Sequence, residues 1–313
     1  MSGAPALRLG TRVSELALWQ ARRIAQRARD ELGIECRIEA IRTAGDRDQE
    51  RPIGELEGTG VFAKELQQAL LEHRVDLAVH SLKDLPTEEP PGLEIAAIAE
   101  RGPATELLLA APGSLHPTPA DPLGLPAGAT VGTSSLRRTA QLLALRPDLE
   151  VRALRGNVPT RVAALRDRRF DAVVIAAAGV ARLALPLDGL DAAHLPPEVM
   201  LPAAGQGALA IETRRDDDAG RRLRALEDPA AARCVGAERR LLALIGGGCQ
   251  LPLGCLATED RGSIRLQAAL GFIEPGSGRA EVARVAAVAR HPEAAALACR
   301  EALSLALPGG LRP

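Results

Sequence analysis

Several short stretches of the 313-residue chain combine arginine with glycine and hydroxyl side chains at what read as element boundaries. In Gly132-Thr133-Ser134-Ser135-Leu136-Arg137-Arg138, a strand end leads into a helix start, so free backbone N–H groups, hydroxyls and two guanidinium forks converge on a small volume. The first turn of a helix has N–H groups without intrahelical partners and favours anions, and a guanidinium matches the geometry of a carboxylate or phosphate. The run therefore reads as an anion cradle. Arg155-Gly156-Asn157 and Thr160-Arg161 repeat the pattern, and Arg12 also sits at a strand end. A single helical arginine is normally a solvated surface charge. Recurrence at strand ends, where open α/β sheets hold their ligands, favours function for the set. At about 1.5–3 kcal/mol for each charge-assisted bond, several together would hold a multiply charged ligand.

Two further positions could carry chemistry. Cys249 lies in Gly246-Gly247-Gly248-Cys249-Gln250-Leu251-Pro252, after a helix and outside any apolar element. Unpaired cysteines are commonly buried and inert, but the glycines argue for exposure, so a reactive thiol or covalent tether stands beside that bland reading. Asp84 follows the apolar run 77–83 and precedes Leu85-Pro86, which places it at a strand's carboxyl end. It reads equally as a functional carboxylate or as a loop Asp bonding local N–H groups. His80, alone in an apolar strand, reads as a structural residue. Gly58-Thr59-Gly60-Val61-Phe62-Ala63 has a dinucleotide-fingerprint spacing but follows an acidic loop instead of a strand, and no phosphate-loop lysine motif occurs.

The elements that must position these residues alternate between short apolar runs and helical patterns through the first two thirds, which favours α/β layers with partly parallel sheets. A strand at 7–9, a helix at 15–32, an alternating strand at 36–42, a helix at 62–72 and a buried strand at 77–79 form a first unit. After a Pro- and Gly-rich stretch at 112–128, a strand ending at Thr133 leads into a helix at 136–145 capped by Ser134 or Ser135. Strands at 151–154 and 172–175 flank a helix near 160–167. Asp228-Pro229 starts a long helix that stops at the 246–248 glycines, and an α+β tail follows with strands at 264–270 and 280–288 and a helix at 292–307. No sequence repeat is evident.

Composition narrows the classes. An apolar share of 46% and a charged share of 25% describe an ordinary packed protein, and its length calls for two or three domains. One Trp, three Phe and no Tyr provide no stacking platform for nucleic acid, and 39 basic against 40 acidic residues give no field to attract it. The opening residues lack a signal-peptide pattern and no membrane span is evident, so a cytoplasmic protein is expected. The five cysteines show no close pairing of the kind that holds zinc or forms redox dithiols, so no metal site is expected.

Taken together, Thr11-Arg12-Val13-Ser14 with Leu16-Ala17-Leu18-Trp19-Gln20, then His80-Ser81-Leu82-Lys83-Asp84, the 132–138 run, Arg155-Gly156-Asn157-Val158, Leu201-Pro202-Ala203 with Gly205-Gln206-Gly207-Ala208, and Gly247-Gly248-Cys249-Gln250 resemble the porphobilinogen deaminase (hydroxymethylbilane synthase) family in order and spacing along nearly the whole chain. The resemblance implies three domains. Residues 1–104 with 203–220, and residues 105–202, would each fold like a type II periplasmic binding protein, and residues 221–313 would form a small α+β domain. It also implies a dipyrromethane cofactor joined through a thioether to Cys249, onto which four porphobilinogen units are added with loss of ammonia before hydrolysis releases a linear tetrapyrrole. Each pyrrole carries an acetate and a propionate. Arg12, Lys83, Arg137, Arg138, Arg155, Arg161 and Arg182 would face those carboxylates, with Ser14, Thr133, Ser134, Ser135 and Gln206 beside them. Asp84 would serve as the catalytic carboxylate, stabilising the cation left when ammonia departs. A monomer is implied. Phe62 resembles a position near the bound rings, or is a hydrophobic contact at a helix start.

The acidic loop 46–57 and Pro159 depart from the family pattern. A weakly active or inactive paralogue acting as an anion-binding module is the alternative. A transferase using Cys249 as a transient nucleophile is a further one, although no neighbouring base is apparent to activate the thiol.

Overall fold

The computed structural model describes residues 5–43, 63–246, 251–274, 276 and 278–307. In chain order its elements are β1 (Leu7–Arg12), α1 (Glu15–Leu32), β2 (Cys36–Ile41), α2 (Lys64–Leu71), β3 (Leu77–Ser81), a 3-10 turn (Leu82–Asp84), β4 (Leu93–Arg101), β5 (Glu106–Ala110), β6 (Thr130–Gly132), α3 (Leu136–Leu145), β7 (Glu150–Arg152) and α4 (Val158–Arg166). They continue as β8 (Ala172–Ala176), α5 (Ala177–Leu183), β9 (Asp191–Leu195), β10 (Ala208–Arg214), α6 (Asp218–Leu223), a 3-10 turn (Arg224–Leu226), α7 (Pro229–Leu244), β11 (Leu253–Asp260), β12 (Ser263–Ile273), β13 (Ala280–Ala289) and α8 (Pro292–Ala306). The chain separates into two compact units, Met1–Gly102 with Gly207–Arg233, and Pro103–Gln206 with Cys234–Pro313.

The first unit is built on a five-stranded sheet in the order β2-β1-β3-β10-β4. β1 runs parallel to β2 and β3, while β10 is antiparallel to β3 and β4. Ser14 starts α1 by accepting the Ala17 N–H, and Gly33 ends it in the left-handed region at φ 65°, where a glycine meets no Cβ penalty. Between these caps, Ala17, Ala21, Ile24 and Ala28 recur at helical spacing and are buried. Ile24 and its neighbours pack on Leu9, Leu77, Val79, Leu209 and Ile211, so the helix covers one face of the sheet.

A sheet in the order β7-β6-β8-β5-β9 begins the second unit, with β6 parallel to β7 and β8 and β5 antiparallel to β8 and β9. Both sheets thus follow one plan, three parallel strands and then an antiparallel strand next to an edge strand. In each, the antiparallel strand comes from elsewhere in the chain: β10 returns after the second sheet is complete, and β5 precedes the three parallel strands it joins. Leu108, Val131, Leu142 and Val174 fill one side of this sheet, and Leu107, Leu109, Val162, Phe170 and Val173 the other.

The remaining sheet is the antiparallel meander β11-β12-β13. Leu241 of α7 and Cys299 and Leu303 of α8 pack with Cys255, Ile264 and Leu266 on one face. Against the other face lies α3: a Cβ on Gly271 would collide with Ala140, and one on Gly254 would approach the Leu201 carbonyl oxygen to 2.6 Å. The close approach requires glycine at both positions. The expected class, two α/β domains and a small C-terminal α+β domain, is the one observed.

Several boundaries differ from expectation for local reasons. α4 begins earlier than 160 because Asn157 caps it through the Thr160 N–H at 2.9 Å, and Pro159 sits in the first turn, where its missing N–H costs no helical bond. α2 spans Lys64–Leu71 instead of 62–72. α7 begins as read, with Asp228 accepting the Ala231 N–H at 3.0 Å.

Candidate functional site

In the first unit, parallel pairing of β1 and β3 brings their carboxyl ends to one edge of the sheet, Leu9 opposite Leu77 and Gly10 opposite Ala78. Arg12 and Ser14 leave β1 at this edge, and Asp84 closes the 3-10 turn that follows β3. Together with Gln20, His80 and Ser81 they line a recess of about 60 Å³. Thr11, fully buried, ties the β1–α1 turn by donating from Oγ1 to the Ala17 carbonyl at 3.0 Å. Gln20 Nε2 donates to Ser81 Oγ at 2.8 Å, joining α1 to the end of β3. Leu82 and Leu85 are buried on either side of half-buried Lys83 and Asp84, so the turn is anchored while its charged side chains stay near solvent. A guanidinium and a carboxylate in one recess suit a small ligand bearing both charges.

His80 is 6% exposed, in keeping with a structural reading, but it does not stand alone. Its Nε2 lies 3.0 Å from Glu212 Oε2, at an angle that does not complete a hydrogen bond. Glu212 Oε1 accepts from Gln67 Nε2 at 2.9 Å.

In the second unit, Arg137 and Arg138 come together, as their spacing implied, but not as an open cradle. Both are buried, and both grip Glu106, whose Oε1 lies 2.6 Å from Arg137 Nη2 and whose Oε2 lies 2.7 Å from Arg138 Nη2. Arg137 Nη1 also donates to the Leu201 carbonyl at 2.8 Å and Arg138 Nη1 to the Val174 carbonyl at 2.9 Å. Burial pushes the Arg137 guanidinium below its ordinary value, against the opposing pull of Glu106. The hydroxyls of the run are likewise engaged: Ser135 is the cap of α3, and Thr133 Oγ1 accepts the Ser135 N–H at 3.2 Å, while Ser134 is exposed. The run is therefore a cluster in which one buried carboxylate offsets one of two guanidinium charges, with Ser134 exposed at its surface.

Arg155 and Arg161 flank a loop with a strict geometric requirement. Gly156 has φ 99°, and a Cβ there would meet Thr160 at 2.8 Å. Arg161 Nε donates to the Gly156 carbonyl at 2.9 Å, which fixes the loop against α4. Arg182 lies half-buried in the last turn of α5. Gln206 is fully buried, and its amide donates to the Ala104 carbonyl at 2.8 Å, which ties two chain crossings together. Cys249, Phe62 and the acidic loop 46–57 lie outside the described residues.

Glu106 and Glu212 stand in none of the motifs above. Each adjoins an apolar strand run, Leu107-Leu108-Leu109-Ala110 and Ala208-Leu209-Ala210-Ile211. An acidic residue carried into such a run signals a buried countercharge, because carboxylates are almost never fully buried without a partner.

A polycarboxylated group fits the donors present: Arg138 Nε and Arg155 Nη1 are buried without a hydrogen-bond acceptor among the described residues. Also among the described residues, no group of three or more His, Cys, Asp or Glu could hold a metal, and no helix is long and apolar enough to cross a membrane.

Two α/β units of common sheet plan, charged side chains on loops at strand ends, and an appended antiparallel domain define a multidomain α/β protein that handles a small anionic ligand. Residues 7–222 match the family model described as "Porphobilinogen deaminase, dipyromethane cofactor binding domain", and residues 232–303 match "Porphobilinogen deaminase, C-terminal domain". The chain belongs to the porphobilinogen deaminase family. It is 44% identical over 269 residues to the porphobilinogen deaminase of Roseiflexus sp. (strain RS-1), covering 84% of this chain and 85% of that one. With that of Acidothermus cellulolyticus it shares 46% over 269 residues, covering 84% and 78%. Among solved structures, the periplasmic VFT2 domain of Bordetella pertussis BvgS is similar at a TM-score of 0.44 and 15% identity, over 71% of this chain and 87% of that domain.

Proposed function

We propose that this protein is a hydroxymethylbilane synthase, a transferase that joins four porphobilinogen units head to tail with loss of ammonia and releases the linear product by hydrolysis. The observation that carries the reading is the recess holding Arg12 and Asp84 at the carboxyl edge of the first sheet, in a chain that matches the family over both of its domain models. Porphobilinogen bears two carboxylates and an aminomethyl group, so a guanidinium and a carboxylate in one recess suit its charges. Asp84 steadies the positive charge that develops on the substrate ring as ammonia leaves, and holds the ring N–H by accepting its hydrogen bond. Arg12, Ser14 and Lys83 orient the substrate carboxylates.

Cys249 would hold the dipyrromethane, which would supply the ring carbon that accepts the first substrate unit. Arg155, Arg161, Arg182 and Ser134 would hold its carboxylates and those of the growing chain. Arg137 and Arg138 lend positive potential from behind, their net charge only half cancelled by Glu106. In the same reading the chain has three domains, 1–104 with 203–220, 105–202, and 221–313, and works in the cytoplasm as a monomer on a small-molecule substrate. Near-balanced charge and scarce aromatics support the absence of a nucleic-acid partner.

The test is turnover of porphobilinogen by the parent protein and by Asp84→Ala. The variant is expected to fold normally and to retain less than about 1% of the parent kcat, the scale of a lost proton-handling or charge-stabilising group. Parent-like turnover in Asp84→Ala would reject the assigned role, and no turnover in the parent would favour an inactive anion-binding paralogue.

A further inference from the structure

We infer that Glu212 and His80 form a buried positioning pair for Asp84, an inference that rests on the Asp84 reading above. The pair spans two strands. Glu212 on β10 stands opposite Ala78 on β3, and His80 stands opposite Ala210, so the two side chains are diagonal neighbours on one face of the sheet. Their side chains are 3% and 4% exposed, with 3.0 Å between Glu212 Oε2 and His80 Nε2. A carboxylate taken out of water is costly unless a positive group or several donors face it. Glu212 accepts one bond from a neutral amide, Gln67 Nε2, and its second oxygen faces His80.

The consequence falls on the 3-10 turn. His80 and Ser81 are the last two residues of β3, and the turn that ends at Asp84 begins at Leu82. Ser81 is held from α1 by Gln20, and His80 is held from β10 by Glu212, which in turn is tied to α2 by Gln67. The exit of β3 is thus fixed from three elements at once, immediately before the turn that presents Asp84. β10 departs from regular pairing with β4 between Leu209 and Ala210 and again between Ile211 and Glu212. Such irregularities re-aim side chains beside functional sites, and here the second immediately precedes Glu212, the residue that reaches His80. Apolar packing alone would not need a carboxylate at this position. The buried polar contact between Glu212 and His80 ties β10 to the end of β3 below the recess, where the catalytic turn begins.

The experiment compares full-length Glu212→Gln, His80→Gln and the double variant with the parent. Gln matches Glu in size and keeps an oxygen for Gln67, so a packing role predicts no change. Expected is a fall in kcat of about tenfold or more for each single variant, the scale found when a supporting carboxylate is lost behind a functional group. KM should stay within about threefold, and the double variant should be no worse than the weaker single one, as for residues acting as a unit. A readout independent of turnover is hydrogen exchange at the Leu85 amide, which donates to the Leu82 carbonyl at 3.1 Å and closes the turn. It should quicken about tenfold in Glu212→Gln, while the amides of β12 keep the parent rate. Parent-like kcat and Leu85 exchange in Glu212→Gln, losses that multiply in the double variant, or a loss carried by KM would each overturn the inference. Should Glu212→Gln fail to fold, His80→Gln decides by the same two readouts. A parent without turnover fails the Asp84 reading, and the exchange measurement still tests whether the pair holds the turn.

Discussion

Glu106→Gln removes the one carboxylate that Arg137 and Arg138 share while keeping the side chain's size. The glutamate side chain is fully buried, and those of the two arginines are 7% and 6% exposed. In the variant, an amide can accept from one guanidinium but offers no countercharge to either, and its NH2 group points a donor at a cation. Breaking a buried ion pair from one side costs about 3–5 kcal/mol because the remaining charge stays buried. At about 2–4 °C per kcal/mol for a unit of this size, the unfolding midpoint of the unit holding β5 and α3 should fall by about 6–20 °C. The carbonyls of Leu201 and Val174 still hold one nitrogen of each arginine, which favours the lower part of that interval. Calorimetry at neutral pH and low salt measures the shift, with Glu150→Gln, in an exposed pair with Arg152 on the same sheet, as the reference. Exposed pairs contribute about 0–1 kcal/mol, so the reference should move little. A Glu106→Gln midpoint within about 2 °C of the parent would refute the view that this cluster is a dry, mutually dependent group.

Two further outcomes follow from the ionisable groups. Burial raises the Asp76 carboxyl, but bonds from the Arg8 side chain and backbone outweigh it and hold the group below its ordinary value. Its stabilising effect is therefore complete above the unfolded carboxyl's pKa of about 3.9 and is lost as pH falls through the lower folded value, so acid unfolding should begin at higher pH in Asp76→Asn than in the parent; matching acid-unfolding curves would contradict this. Burial pushes the Cys299 thiol up to about 11, and the thiol donates to the Leu266 carbonyl at 3.1 Å. Iodoacetamide at pH 8 should leave Cys299 unmodified in the folded protein, as judged by peptide mass mapping, and rapid alkylation there would show that the C-terminal core opens readily.

The sequence made visible whatever depends on neighbours in the chain. α1 could be read from Ser14, its buried stripe and Gly33, and α7 from Asp228-Pro229, because caps and helical periodicity are local. Asp84 at a strand's carboxyl end was likewise readable from one apolar run and the proline after it. What pairs across long separations was hidden. Glu106 lies 31 residues from Arg137, and Gln67 lies 145 from Glu212, so nothing in the spacing revealed that the paired arginines face inward or that His80 has an acidic neighbour. The shared plan of the two five-stranded sheets also left no sequence repeat. Strand order is fixed by backbone pairing and by apolar side chains of adequate volume, and many sequences satisfy both. β5 and β10 illustrate this, since each joins its sheet antiparallel from a distant part of the chain.

Intact-mass measurement of the purified full-length protein beside Cys249→Ser bears on whether a thiol-anchored polypyrrole is what the arginines serve. Expected is an added mass equal to two linked pyrroles on the parent and none on the variant. A parent that carries no added mass, and still carries none after incubation with porphobilinogen, would contradict the proposed function.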